Sequence, residues 1–218
     1  MNTLKKKCFV VCCKSDFSDS YIYKCVDSIK SKHPESSIVI VDSDSSNKEY
    51  MEVYRNDENI FIEDISNKNY EYGAIVYAFK KYKDNYDVFS FIQDSMYLNE
   101  QIEKLNCLND DECLIFKVDN SGWLHDKEAF VYFYEKHPNF PKLPNKNNFQ
   151  LVIWNSFAIN TNTFSSIIES KMFSDVQAPI NKVGSKYMER VWSILFIKSG
   201  INIIVNNSSL HKTWAGRQ

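Results

Sequence analysis

The segment DVFSFIQDS, residues 87–95, combines an almost continuously apolar run with an acidic side chain near its end. A short run of this kind, rich in β-forming residues, is typical of a strand with both faces buried, and such strands belong to parallel sheets. Asp94 follows directly on the run, with Gln93 and Ser95 on either side of it. We therefore predict a central parallel strand that leads into Asp94.

The same pattern repeats through the first half of the chain. Apolar runs at residues 8–13, 37–43 and 59–64 predict three more strands, and helical spacing at residues 18–33 and 69–82 predicts two helices between strands. Parallel strands need crossover helices, and these helices cover both faces of the sheet. The predicted fold is α/β, with a mostly parallel central sheet flanked by helices.

The second half of the chain is less regular. Its apolar runs predict three further strands, at residues 113–118, 151–160 and 201–205. Residues 188–198 are apolar nearly all round and predict a buried helix, with Gly200 as its C′ residue. Residues 137–149 hold three prolines and predict a long loop.

Composition excludes several classes of function. The 26 basic and 28 acidic residues are interspersed, which disfavours a nucleic-acid partner. No GxGxxG motif occurs, which argues against a dinucleotide-binding dehydrogenase. The six cysteines form no CxxC pair, and most of them are expected to be buried, reduced thiols, as in a cytoplasmic protein.

Membrane and export signals are not expected either. The apolar stretch after the N-terminal lysines is too short for a signal peptide and is better interpreted as the first strand. No window has the length of a transmembrane segment, so the protein is expected to be soluble.

Polar residues at the predicted strand ends are the candidate site, because ligands of open α/β sheets bind beyond the carboxyl ends of the strands. Asp16, Asp42 and Asp44 lie at such ends. The Asp42 carboxylate is suited to accept a nucleobase N–H, or to cap the next turn. Asp94 is suited to a Mg²⁺ or Mn²⁺ ion that bridges phosphates, or to the N-cap of a short helix over residues 96–102.

Two further residues have two interpretations each. Glu189 stands in the first turn of a helix predicted to begin near Tyr187, where it either complements the helix dipole or acts as a general base. His211 follows the last predicted strand and is either a surface residue or a metal ligand. The loop SGWLHDKE offers Trp123, His125 and Asp126 for stacking a sugar ring and binding its hydroxyls, or is ordinary loop chemistry.

In chain order, VVCCKSD, IVIVDSDSSNKEY, NKNYEYGAIVYAFKKYKDNYDVFSFIQDS, WNSFAINTNTF and MERVWSILFIKSGINIIV resemble the nucleotide-sugar glycosyltransferases of GT-A fold, in particular family 2. The resemblance implies a single Rossmann-like domain over residues 1–218, with a nucleotide-binding half over about 1–100 and an acceptor-binding half over about 101–218. The Lys-rich, Asn-rich and Gly-poor composition is also similar to glycosyltransferase modules by which large DNA viruses modify their capsid proteins.

The resemblance also implies roles for residues. Asp42 corresponds to the Asp that binds the nucleobase, and Gln93, Asp94 and Ser95 fall on the Asp-x-Asp segment that binds metal and diphosphate, with acid retained only at the middle position. Glu189 corresponds to the catalytic base of inverting members. His211 stands where some members add a metal ligand, and an imidazole suits Mn²⁺ better than Mg²⁺.

The function implied by the resemblance is transfer of a sugar, with inversion, from a nucleoside diphosphate sugar, most simply a UDP-sugar, to a hydroxyl of a glycan or glycoprotein. This is a hexosyl- or deoxyhexosyltransferase reaction, with the metal and Lys68 beside the departing diphosphate.

Two alternatives remain. A nucleotidyltransferase needs a Gly-rich loop after the first strand, where this chain has CKSDFSDSY without glycine. A non-catalytic domain of the same fold that binds glycan or acts as a scaffold is consistent with Gln93 and Ser95.

Overall fold

The computed structural model describes residues 5–15, 20–66, 69–116 and 152–213. In the first half, four strands alternate with helices, because short apolar runs alternate with amphipathic segments. These elements are β1 Lys7–Cys13, α1 Ser20–Lys32, β2 Ser37–Asp42, α2 Glu49–Tyr54, β3 Ile60–Asp64, α3 Tyr70–Tyr82 and β4 Val88–Gln93.

The second half completes the sheet and adds a short ribbon beside it. Its strands are β5 Met96–Leu98, β6 Glu112–Ile115, β7 Phe157–Asn160, β8 Asn202–Val205 and β9 Leu210–Lys212. Its helices are α4 Thr161–Ile168, α5 Lys171–Ser174 and α6 Lys182–Lys198, with 3-10 turns at Glu103–Asn106 and Ile153–Asn155.

The main sheet has the order β3-β2-β1-β4-β7-β6-β8. All its neighbouring strands are parallel except where β7 pairs with β4 and β6, so the mostly parallel α/β sheet predicted from the sequence is confirmed. A separate antiparallel ribbon pairs β5 with β9. Since β5 follows β4 after only two residues, this ribbon lies at the carboxyl end of β4.

Two apolar layers cover the sheet, as the alternation of side chains along β1 illustrates. Cys8, Val10 and Cys12 face a layer that includes α3, α4 and α6, with Trp192 fully buried in it. Phe9, Val11 and Cys13 face the layer that includes α1. Within the described ranges, no helix has the length and apolar character needed to cross a membrane.

Several predictions of local structure are confirmed. The N-terminal apolar stretch is a strand, five of the six cysteines are buried free thiols, and Gly200 follows α6 with φ of 71°, the left-handed conformation typical of a C′ glycine. Residues 137–149, the predicted loop, lie outside the described residues.

Three predictions were wrong. Residues 96–102 do not form a helix, because Met96–Leu98 pairs as a strand with Leu210–Lys212. Only the end of the segment 151–160 is a strand, since residues 153–155 form a 3-10 turn. The last long helix starts at Lys182, because the Asn181 side chain caps it by accepting the Gly184 N–H at 2.8 Å.

Candidate functional site

The carboxyl edge of the parallel strands gathers the acidic residues that the sequence singled out. In the registers of β1, Cys13 pairs with Asp42 of β2, and Cys12 pairs with Gln93 of β4. Asp94 is therefore level with Cys13 and Asp42. Because β2 and β4 flank β1 at the usual strand spacing, the backbones at Asp42 and Asp94 are about 10 Å apart.

Asp42 organises the turn that follows β2. It is fully buried, and its Oδ1 accepts the Ser45 N–H at 2.9 Å while its Oδ2 accepts the Tyr50 hydroxyl. The capping role predicted for Asp42 is therefore confirmed, and its role toward a nucleobase stays a prediction. Asp44 is exposed with φ of 69°, a left-handed conformation that Asp tolerates well in turns.

The loops after β1, β2 and β4 are tied together at this edge. The Ser15 N–H donates to Ser45 Oγ at 2.7 Å, and the Lys14 N–H donates to Asp94 Oδ2 at 2.9 Å. Asp94 is 4% exposed, so its carboxylate is held between strand ends. Five other candidates, Asp16, Lys68, Trp123, His125 and Asp126, lie outside the described residues.

A polar chain runs through Gln93. Its Nε2 donates to Glu71 Oε1 at 2.7 Å, and its Oε1 accepts from Lys212 Nζ at 2.5 Å. The second carboxylate oxygen of Glu71 accepts the Ser185 hydroxyl at 2.8 Å. Lys212 Nζ also lies 4.8 Å from the ring centroid of Trp154, within cation–π range.

The Glu189 side chain, on α6, also contacts Trp154. It stands about two turns into the helix, so the proposed dipole role in a first turn was wrong. Its Oε1 accepts the N–H of Trp154 at 2.9 Å. Trp154 itself has φ of 57°, a left-handed conformation that is uncommon in residues other than glycine.

The surroundings of Glu189 raise its pKa from 4.5 to about 7. Burial of the carboxyl group is the largest cause, and the negative charge of Glu71 raises the pKa further. The Trp154 N–H and the charges of Arg190 and Lys212 act in the opposite direction. The charges of Glu71 and Lys212 thus both act on Glu189. We call these three residues, together with Gln93, Trp154 and Ser185, the Glu189 cleft.

His211 lies on another face of the β5–β9 ribbon. Neighbouring residues of a strand project to opposite faces, so His211 and Lys212 point apart. The exposed His211 ring stacks on Tyr97, with centroids 5.7 Å apart, and Lys24 of α1 lies over that same Tyr97 ring. The role of His211 as a metal ligand stays a prediction.

The side chains at the Asp-x-Asp position do not make a divalent-cation site among themselves. Positions 93 and 95 carry an amide and a hydroxyl, and a lysine ammonium binds the amide. Across the ranges described by the structure, no three or more His, Cys, Asp and Glu side chains are grouped so as to hold a metal ion. The buried Ser95 hydroxyl has no hydrogen-bond partner among the described residues. Such unpaired buried groups are uncommon in proteins and are associated with strain or with a catalytic role.

Sequence reasoning missed four members of the cleft: Glu71, Trp154, Ser185 and Lys212. Glu71 had a usable signal, because the first turn of a crossover helix lies at the carboxyl edge of the sheet. Lys212 had none, because its position depends on the pairing of β9 with β5.

No protein-family model matches this sequence, and no curated protein matches it. Solved structures do match, at high probability. GalNAc-T7 with UDP, GalNAc and Mn²⁺ has a TM-score of 0.63 and 11% identity, over 97% of this chain and 44% of that chain. The mannosyltransferase PcManGT from Pyrobaculum calidifontis, with GDP-Man and Mn²⁺, has a TM-score of 0.55 and 10% identity, over 94% and 56%.

A third match is S. aureus TarS in complex with UDP-GlcNAc, with a TM-score of 0.51 and 16% identity, over 98% of this chain and 60% of that chain. The chain thus spans about half the length of these solved glycosyltransferases. At such low identity the likeness establishes the fold, and this chain has the GT-A fold of nucleotide-sugar glycosyltransferases.

Proposed function

We propose that the protein is a glycosyltransferase that moves a sugar from a nucleoside diphosphate sugar to an acceptor hydroxyl of a glycan or glycoprotein. The observation that carries this proposal is the Glu189 carboxylate, held by the Trp154 N–H in a cleft at the carboxyl edge of a GT-A sheet. A carboxylate with a pKa near 7 is suited to take a proton from a hydroxyl at neutral pH.

The reaction places its partners on two sides of the sugar. The donor diphosphate lies along the strand ends, near Asp94, and the nucleoside lies toward Asp42 and Asp44 at the end of β2. Glu189 approaches from α6 and takes the acceptor proton. The acceptor oxygen then forms its bond to the anomeric carbon while the carbon–oxygen bond to the diphosphate breaks, and the diphosphate leaves with the electron pair. Attack opposite the leaving group inverts the anomeric configuration.

We infer a UDP-sugar as the donor, since GalNAc-T7 was solved with UDP and TarS with UDP-GlcNAc. PcManGT, solved with GDP-Man, makes a GDP-sugar the alternative to test. Residues after about 101, including Trp123, His125 and Asp126, are proposed to bind the acceptor, and Asp16 and Lys68 to bind the donor. The buried thiols suit a reducing compartment such as the cytoplasm.

The test is a donor panel of UDP-Glc, UDP-Gal, UDP-GlcNAc, UDP-GalNAc and GDP-Man. Release of UDP or GDP is measured with and without Mn²⁺, first by slow hydrolysis and then with glycan acceptors. We expect one donor to be consumed, and Glu189→Gln to lower the rate by about 10²–10⁴-fold. Glu58→Gln, which changes an exposed glutamate, is the matched control.

Two other outcomes have different meanings. Glycan binding without turnover of any donor would favour a non-catalytic domain of this fold. Failure to bind any nucleoside diphosphate by calorimetry, with or without Mn²⁺, would contradict the proposed function altogether.

A further inference from the structure

A lysine ammonium lies in the Glu189 cleft, beside residues 93–95, where the resemblance implies an Asp-x-Asp segment. Lys212 Nζ is hydrogen-bonded to Gln93 Oε1 and lies over the Trp154 ring. Its backbone is equally fixed, because Lys212 pairs with Met96 in the ribbon and the Thr213 N–H donates to Ser95 O at 2.8 Å. The ammonium group is therefore held beside residues 93–95 by both side-chain and backbone contacts.

The orientation of the Gln93 amide follows from chemistry alone. An ionised glutamate can only accept hydrogen bonds and a lysine ammonium can only donate them. The Gln93 amide must therefore point its NH₂ group at Glu71 and its oxygen at Lys212, as observed. Ser185 holds the other oxygen of Glu71, so four side chains form one ordered chain ending at the ammonium.

A divalent cation does not suit this arrangement. Of the three side chains at positions 93–95 only Asp94 is acidic, and its Oδ2 accepts the Lys14 N–H. The Lys212 ammonium beside Gln93 would repel a second cation bound at the same strand end. A glutamate at position 93 would instead repel Glu71, so the amide is the side chain that satisfies both neighbours.

We propose that Lys212 supplies the positive charge that stabilises the departing diphosphate, so that sugar transfer by this chain needs no divalent cation. This inference depends on the proposed function. As the bond between the anomeric carbon and the diphosphate oxygen breaks, the electron pair stays on that oxygen. Lys212 donates a hydrogen bond to the growing negative charge and keeps its proton, while Gln93 and Trp154 hold the ammonium in place.

The proposal is tested first by binding, without turnover. UDP, or GDP if the donor panel selects it, is titrated calorimetrically into the protein in EDTA and then in Mn²⁺. We expect binding in EDTA, with no more than a twofold gain from Mn²⁺. Lys212→Met should weaken binding in EDTA at least tenfold, and Lys212→Arg should restore most of it. Lys80→Met removes an exposed lysine of α3 and should leave binding unchanged.

Kinetics provide the second measurement. Lys212→Met should lower kcat by about 10²–10³-fold, the usual effect of removing one charge-stabilising donor. It should also move the acid limb of the pH–rate profile to higher pH, because the charge of Lys212 lowers the pKa of Glu189. This shift reports the charge of Lys212 near Glu189. The role toward the diphosphate is tested by the loss of kcat and nucleotide affinity in a variant that thermal melting shows to be folded, and by the recovery of both in Lys212→Arg.

The result that overturns the inference is full loss of nucleotide binding and transfer in EDTA, recovery of both with Mn²⁺, and an unchanged Lys212→Met variant. That outcome leaves the proposed function standing. By contrast, absence of nucleotide binding and turnover in every condition overturns the proposed function, and the inference with it.

Discussion

Glu189→Gln should change activity and stability in opposite directions. Gln keeps an oxygen for the Trp154 N–H and has nearly the same volume, so the substitution removes the charge and leaves the packing. An ionised carboxylate whose pKa is raised by burial opposes folding. The substitution should therefore lower the catalytic rate by about 10²–10⁴-fold and stabilise the fold at alkaline pH.

The magnitude follows from the pKa of Glu189. The folded state holds this proton up to about pH 7 and the unfolded state releases it near 4.5, so the folded state binds more protons between these values. The loss of folding free energy caused by the buried charge is absent below pH 4.5, grows as the pH rises from 4.5 to about 7, and is constant above that. At about 1.4 kcal/mol per pKa unit it reaches about 3 kcal/mol at most. For a chain of this size that corresponds to a rise in Tm of roughly 6–12 °C as an upper limit.

The assay is thermal unfolding of wild type, Glu189→Gln and Glu58→Gln at pH 4.5, 6 and 8. The Tm difference between Glu189→Gln and wild type should be small at pH 4.5 and largest at pH 8, and the control should show no such trend. In the wild type, the ionised fraction of Glu189 should make the rate at pH 6 about one tenth of that at pH 8. Equal destabilisation of Glu189→Gln at all three pH values would refute the reasoning.

Three further predictions concern other parts of the fold. Burial lowers the pKa of His33 from 6.5 to about 4. The neutral imidazole therefore stabilises the fold at neutral pH, and up to about 3 kcal/mol of the free energy of unfolding is lost as the pH falls below 6.5. His33→Gln should make the free energy of unfolding, measured by urea titration, less dependent on pH in this range. Tyr50→Phe leaves the buried Asp42 Oδ2 without its hydroxyl donor. It should lower the free energy of unfolding, measured in the same titrations, by about 1–3 kcal/mol. Cys107 is the one exposed thiol among the six cysteines, so Ellman's reagent should label one thiol in the native protein and none in Cys107→Ser.

The parts of this fold that could be predicted from the sequence depend on local patterns. Buried parallel strands are apolar throughout and their crossover helices have a helical period, so the amino-acid sequence alone indicates the βαβ units. The position of Asp94 at a strand end follows from the same patterns. Asp94 is level with Asp42 because β2 and β4 both pair with β1.

The parts that could not be predicted depend on long-range pairing. Strands of three residues, such as β5 and β9, are too short to show a period, and they pair across more than a hundred residues. The prediction that a helix begins near Tyr187 failed because residues 182–186 are mostly polar or small, and the cap at Asn181 outweighs their weak apolar pattern. The position of Lys212 depends on the pairing of β5 with β9, and the position of Glu189 within its helix depends on the cap at Asn181.

The turn at Trp154 and Asn155 connects the proposed base with the proposed cation. Both residues have left-handed backbones, with φ of 57° and 53°, a conformation that costs free energy in residues other than glycine. The Trp154 N–H donates to Glu189, and the Lys212 ammonium lies over the Trp154 ring, so this turn contacts both residues. The free-energy cost of the turn and that of the buried Glu189 charge therefore fall at one place, where a chain selected for stability alone would retain neither. This coincidence favours a catalytic role for the Glu189 cleft over a role in packing.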